Sequence, residues 1–318
     1  MSLFAVVKLH WLLVVLVSCG GNSLAQVKPF RDLIRMYDYD RKGPLQVREV
    51  SVEDWGGVKV HDITFAGSGR GRVPAYLVVP AGKGRFAAVI FAHHGGGNRA
   101  TFLDEALALA KRGTVSLLVD SHAVNRPDYG PVADGPPGGA TDRDELIKMV
   151  IELRRGLDLL LSRPDVDAKR VGFVGHSIGG RAASILAGSE KRIKAVVVMA
   201  SQISATEAWR ANDNPHIVKL RESLPKEQFE RYLEFIAPVD AAYYVSRAAP
   251  TALLLQFGRQ DDSPNERLAR RFYEVASEPK LFKLYEAGHQ LNDEARTDRT
   301  EWLTTQLKLR SRSSAAEK

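Results

Sequence analysis

The chain has 318 residues, 26% of them charged and 44% apolar, and carries a formal net charge of +7. That length can bury a full core without a disulfide or metal staple, and the composition excludes a disordered or collagen-like chain. The basic residues are spread along the sequence with no Lys/Arg run interleaved with aromatics, so the excess reads as a solvated surface and no nucleic-acid partner is expected.

The N-terminus has the anatomy of an export signal. Lys8 precedes an apolar run, Trp11 to Val17, which then meets small residues. The run is far shorter than the ~20 residues of a membrane-spanning helix. Cys19 is the only cysteine, so no internal disulfide can form. Leu16-Val17-Ser18-Cys19 resembles a lipobox, in which the thiol is lipidated and becomes the new N-terminus, and Gly20 behind it resembles residues that permit outer-membrane sorting. Ser23-Leu24-Ala25 offers a second reading, with ordinary cleavage before Gln26. Both stay open, the lipoprotein reading being favoured by the position of Cys19. Either places the protein at the periplasmic face of a bacterial envelope, with any membrane attachment made through the N-terminus.

Residues 26–46 read as a linker, and the domain proper is expected over 47–310. Val58 to Phe65 and Arg72 to Val79 read as an antiparallel hairpin around Gly67 to Gly71. Phe86 to Ala92 is a continuous apolar run, as suits a strand buried on both faces. The pattern then alternates: helix Thr101 to Arg112 ended by Gly113, strand Thr114 to Val119, a long Gly/Pro-rich stretch from Asp120 to Ala140, and helix Asp142 to Ser162 stopped by Pro164. Strand Val171 to Gly175, helix Ser177 to Ala187 and strand Ile193 to Met199 follow. Residues 201–247 break the rhythm and read as a small helical cap insertion, with helices over Pro215 to Leu224 and Lys226 to Phe235. Strand Thr251 to Phe257, helix Asn265 to Ala276, strand Lys280 to Tyr285 and helix Asn292 to Leu309 complete the fold, and 311–318 read as a frayed tail. Such alternation implies an α/β class with a mostly parallel sheet covered by helices on both faces.

The chemistry is concentrated at strand ends. Gly175-His176-Ser177-Ile178-Gly179 is a G-x-S-x-G set between an apolar strand and a small-residue helix. There the tight turn projects the serine, and the helix N-terminus favours developing negative charge. A serine hydroxyl needs an adjacent base to act as a nucleophile near neutral pH. In the order that such a turn predicts, serine then acid then histidine, Gly258-Arg259-Gln260-Asp261-Asp262 and Ala287-Gly288-His289 follow later strands. Asp261 is preferred to its neighbour Asp262 by its G-x-x-D spacing. His93-His94-Gly95-Gly96-Gly97 follows another strand and suits an oxyanion loop, with Gly95, Gly96 and the backbone N–H of Ile178 as donors.

These motifs resemble the α/β-hydrolase superfamily over about residues 45–310. More narrowly the chain resembles the dienelactone-hydrolase and acetyl-xylan-esterase-like branch, close to the catalytic domain of prolyl oligopeptidases. The residues that carry this are Val73-Pro74-Ala75-Tyr76-Leu77-Val78-Val79-Pro80, then Phe91-Ala92-His93-His94-Gly95-Gly96-Gly97. Arg163-Pro164-Asp165-Val166-Asp167 then leads through Arg170 and Val171 to Gly175-His176-Ser177. Dienelactone hydrolases proper use a cysteine nucleophile, whereas serine stands here, which favours ester hydrolysis through an acyl-enzyme. The resemblance thus implies Ser177 as nucleophile, His289 as base and Asp261 as its orienter. The alternatives are a prolyl-oligopeptidase-like peptidase, or a lipid-anchored binding protein that keeps the fold without the chemistry.

Other residues carry less. His94 is expected to shape its loop or line the pocket. His122 and Asp120, beyond a strand end, are candidates for the pocket wall, and His176 is expected to pack beside the nucleophile. No His/Cys/Asp/Glu cluster has metal-ligand spacing, so no metal and no cofactor are expected.

Overall fold

The computed structural model describes residues 29–69, 71–120, 139–211, 215–262 and 264–310. In chain order these form α1 (Phe30–Arg35), β1 (Arg48–Trp55), β2 (Val58–Ala66), β3 (Arg72–Val79), β4 (Phe86–Ala92), α2 (Leu103–Ala110), β5 (Thr114–Val119) and α3 (Gly139–Ser162). Then come β6 (Val166–His176), α4 (Ile178–Ser189), β7 (Ala195–Met199), α5 (Ala205–Ala211), α6 (Pro215–Ser223), α7 (Lys226–Ile236) and α8 (Ala242–Val245). The chain closes with β8 (Ala252–Gly258), α9 (Glu266–Val275), β9 (Lys280–Tyr285) and α10 (Asp293–Leu307). Cys19, His122 and the 311–318 tail lie outside the described residues.

The nine strands form one sheet in the order β1-β2-β3-β5-β4-β6-β7-β8-β9. The hairpin strands pair antiparallel as far as β3 with β5, and every pairing from β5 through β4 to β9 is parallel. Strand alternation sends Ala88, Ile90 and Ala92 of β4 to one face and Ala87, Val89 and Phe91 to the other. The first face packs on α3, α4, α8 and α9 through residues such as Leu153, Ile185, Tyr244 and Phe272. The second packs on α2 and α10 through Leu109, Leu303 and Leu307. A buried bidentate ion pair, Arg299 Nη2 to Glu105 Oε2 at 2.6 Å, ties α2 to α10.

Two segments differ from the sequence expectation. Residues 30–46 are not a free linker: α1 lies on the first face, Leu33 and Tyr37 are buried, and the Tyr37 and Tyr244 hydroxyls stand 3.1 Å apart. β1 was unforeseen because its residues are exposed throughout.

α3 carries a buried carboxyl with no role in the chemistry. Glu152 lies against Gly67 in the β2–β3 turn, where an added Cβ would stand 3.2 Å from Oε1. Burial first, then the nearby Glu145, raise its pKa from 4.5 to about 7 against the pull of Lys148. The folded state therefore holds a proton that the unfolded state releases above about 4.5, and stability is lost as pH rises toward 7. Glu152→Gln is expected to be more stable than the wild type at pH 8 by up to roughly 3 kcal/mol. At pH 5 most of that gain should vanish. Denaturant titrations at the two pH values check this.

Candidate active site

The turn at Ser177 is built by close backbone approach. β6 ends at His176, and Ser177 precedes the first residue of α4 with φ 57° and ψ −115°. A non-glycine residue at positive φ is strained, and the surrounding glycines make room for the turn. A Cβ at Gly179 would strike the Ala92 carbonyl oxygen, and one at Gly175 would strike the carbonyl oxygen of Gly179. The Ser177 N–H is anchored to the Met199 carbonyl oxygen of β7 at 2.9 Å.

The loops after β8 and β9 are stitched together in the same way. Arg259 N–H donates to Tyr285 O at 2.9 Å and Gln260 N–H to Ala287 O at 3.0 Å. Gly258 has no room for a side chain, because a Cβ would meet Ala287 O. These bonds bring Asp261 and His289 together: His289 Nδ1 lies 2.9 Å from Asp261 Oδ2. The Asp261 side chain is 3% exposed and His289 35%, so the acid is enclosed while the imidazole faces outward. Asp262 is exposed.

His176 links the His289 loop to the turn at Ser177. Its ring lies 5.1 Å from that of His289 and 5.0 Å from that of His94. Its Nε2 is 2.8 Å from the His289 carbonyl oxygen. Burial pushes its pKa down to about 3, so the ring is neutral and Nε2, facing a carbonyl, carries the proton and donates. The sequence placed this residue beside Ser177 but offered no sign of the hydrogen bond, whose partner is 113 positions away.

On the other side of Ser177, β4 runs into a tight turn over His94 to Gly97, closed by Gly97 N–H to His94 O at 3.1 Å. Gly96 sits at φ +77°, the conformation a type II turn demands at its third residue. The closing bond leaves the N–H groups of Gly95 and Gly96 outside the turn. His94 has its pKa lowered by burial and by the neighbouring His93 and His289. Its Nδ1 is buried without a hydrogen-bond partner among the described residues.

Asp120 is held by a charge cluster that the sequence did not reveal. Arg99 reaches it at 3.3 Å and Asp62 at 2.8 Å while lying over the Tyr76 ring. His93 Nε2 stands 3.5 Å from Asp120 Oδ1, a near contact rather than a hydrogen bond. The cluster braces β2, β3, β5 and the glycine turn. Among the described residues, no group of three or more His, Cys, Asp or Glu is placed to hold a metal ion.

A family model, Acetyl xylan esterase (AXE1), matches residues 33–239. The chain belongs to the acetyl xylan esterase family. It is thus an α/β-hydrolase and a carboxylic ester hydrolase acting on small-molecule esters. Solved structures of other acetyl xylan esterases share its fold. The enzyme from Paenibacillus sp. superposes with a TM-score of 0.73 at 20% identity, over 87% of this chain and 93% of that one. Acetyl xylan esterase 1 from Thermoanaerobacterium sp. gives 0.73 at 18% identity, over the same 87% and 93%. A glucuronoyl esterase from Solibacter usitatus gives 0.60 at 15% identity, over 87% and 91%. No curated protein matches the chain in sequence.

Proposed function

We propose that this acetyl xylan esterase family member is an exported serine esterase that removes acetyl groups from carbohydrate hydroxyls. Ser177 is the nucleophile, His289 its general base and Asp261 the carboxylate that orients the base. The observation that carries the reading is the 2.9 Å hydrogen bond between His289 and enclosed Asp261, on loops at the carboxyl end of the sheet. The His289 ring stands against His176, the residue before Ser177. Ligands of open α/β sheets bind at that end.

The steps follow from the groups present. Ser177 Oγ attacks the ester carbonyl as His289 Nε2 takes its proton, and the tetrahedral oxyanion turns toward the N–H of Ile178 and the N–H groups of Gly95 and Gly96. The C–O bond to the sugar then breaks as His289 protonates the departing sugar oxygen, giving the free hydroxyl. Water, deprotonated by the same imidazole, releases acetate from Ser177. Asp261 fixes Nδ1 as the protonated nitrogen and stabilises the imidazolium. The helical segments between β7 and β8 shape the acyl and alcohol pockets. The test is hydrolysis of p-nitrophenyl esters of increasing acyl length and of acetylated xylan, beside peptide amides. Acetyl preference supports the reading, and turnover of peptide amides alone would refute it.

His176 serves as a positioning residue through its bond to the His289 carbonyl. Because a small misplacement of a catalytic group can cost about 100-fold, His176→Phe should lower kcat by about 10- to 100-fold with KM little changed. His176→Gln, which can still present an N–H donor, should recover part of the loss. Equal losses in both variants would assign the effect to packing instead.

Export rests on the Lys8 to Cys19 segment. Metabolic labelling with a radioactive fatty acid is expected to mark the wild type and not Cys19→Ser. Unlabelled wild type would favour cleavage before Gln26.

A further inference from the structure

The basic residues, scattered in sequence, gather on one rim of the fold. β4 to β9 all run parallel, so their first residues share the end of the sheet opposite Ser177. At that end Lys83, Arg85, Lys169, Lys194, Lys308 and Arg310 are exposed. Backbone and side-chain bonds knit them into one rim. Arg170 donates to the carbonyl oxygens of Arg85 at 2.5 Å and Lys308 at 3.5 Å, and Arg310 N–H bonds Arg112 O at 3.1 Å. Lys194 Nζ bonds Lys191 O at 3.0 Å, and Lys191 Nζ bonds Arg247 O at 2.9 Å.

The local carboxylates are already spent. Asp165 is paired with Arg163 at 2.7 Å, Asp167 with Arg170 at 3.0 Å, Glu190 with Arg192 at 2.8 Å, Glu278 with Lys280 at 3.8 Å and Asp54 with Lys59 at 3.7 Å. Among the described residues, none of the six exposed cations forms an ion pair. The rim therefore presents uncompensated positive charge along most of the sheet's width.

The chain also enters the fold here. Arg247, whose carbonyl takes Lys191, lays its guanidinium over the Phe30 ring of α1 at 4.8 Å. The residues before Pro29, with their export signal and Cys19, thus join the body at the basic rim. From Cys19 to Pro29 is ten residues, a reach of at most about 35 Å.

We propose that this rim docks on an anionic phospholipid bilayer, with the active site facing away. The proposal builds on the export reading and is independent of the esterase chemistry. β4, seven residues from the rim to the glycine turn beside Ser177, sets the site roughly 23 Å above the rim. The rim acts as the second signal that a short N-terminal attachment needs for stable anchoring, and carbohydrate esters approach from the open side.

The test uses the full chain with sedimentable vesicles of phosphatidylcholine alone or with about one third phosphatidylglycerol. The wild type is expected to bind the anionic vesicles at least ~10-fold more tightly in low salt, with the preference lost near 0.5 M salt. Lys83→Glu, Lys169→Glu, Lys194→Glu and Lys308→Glu combined should abolish the preference while p-nitrophenyl acetate turnover in solution stays unchanged. The same charge change made elsewhere, at Lys42, Lys148, Lys219 and Lys226, should leave most of it. Equal losses from both sets would reduce the effect to net charge and overturn the proposal. So would a wild type with no anionic preference, or one retained on heparin alone, which would place a soluble polyanion on the rim.

Discussion

Ser177→Ala is expected to lower kcat toward p-nitrophenyl acetate by about 10⁴- to 10⁶-fold, with the fold intact. The backbone there is fixed by the Ser177 N–H bond to Met199 and by the glycine contacts at 175 and 179, so the substitution removes the hydroxyl without moving the turn. What activity remains would come from the oxyanion donors and binding alone. A second substitution separates chemistry from strain. At φ 57° and ψ −115° the backbone of residue 177 is costly for any side chain and cheap for glycine. Ser177→Gly should therefore be as inactive as the alanine variant but more stable than the wild type, by about 1 kcal/mol. Kinetics on the purified variants and their thermal unfolding midpoints check both halves. An active Ser177→Ala would remove Ser177 from the chemistry, and an unchanged midpoint in Ser177→Gly would mean the turn stores little strain.

What the sequence disclosed and what it withheld divide along a physical line. The strands of the parallel core, such as Phe86–Ala92 and Lys280–Tyr285, are short apolar or alternating runs between breakers, and they form where the pattern places them. The turn at Ser177 and the Asp261 and His289 loops are local too, each a few residues past a recognisable strand end. β1 was illegible because Arg48–Trp55 buries no face and so carries no periodicity of burial. α1 is only six residues long, and what makes it part of the body is packing against Tyr244 and Arg247, more than 200 positions away. The same holds for the Arg99 contacts with Asp62 and Asp120, for His176 bonding the His289 carbonyl, and for the basic rim. Each is a juxtaposition of distant segments, and composition alone read the last as a diffuse surface charge.

Asp261→Asn should reduce kcat by about 10⁴-fold while Asp262→Asn stays close to wild type. The two residues are adjacent and chemically identical, and the fold separates them. Asp261 is enclosed and 2.9 Å from His289 Nδ1, whereas Asp262 points into solvent. An asparagine at 261 keeps the shape and forfeits two things. If its amide nitrogen faces the ring, Nδ1 must accept, the proton moves to Nε2, and His289 can no longer take the Ser177 proton. If its oxygen faces the ring, the tautomer survives but the imidazolium formed during attack loses its counter-charge. Either way the loss is expected on kcat, since in the proposed role Asp261 orients the base without touching the ester, and KM should move little. At Asp262 the substitution removes one solvated charge, and a surface change of that kind is expected to be nearly silent in stability as well. Measuring kcat and KM for both variants on the same ester decides the assignment. Comparable losses at the two positions would mean that the acid is shared or supplied elsewhere, and a larger loss at Asp262 would transfer the role to it.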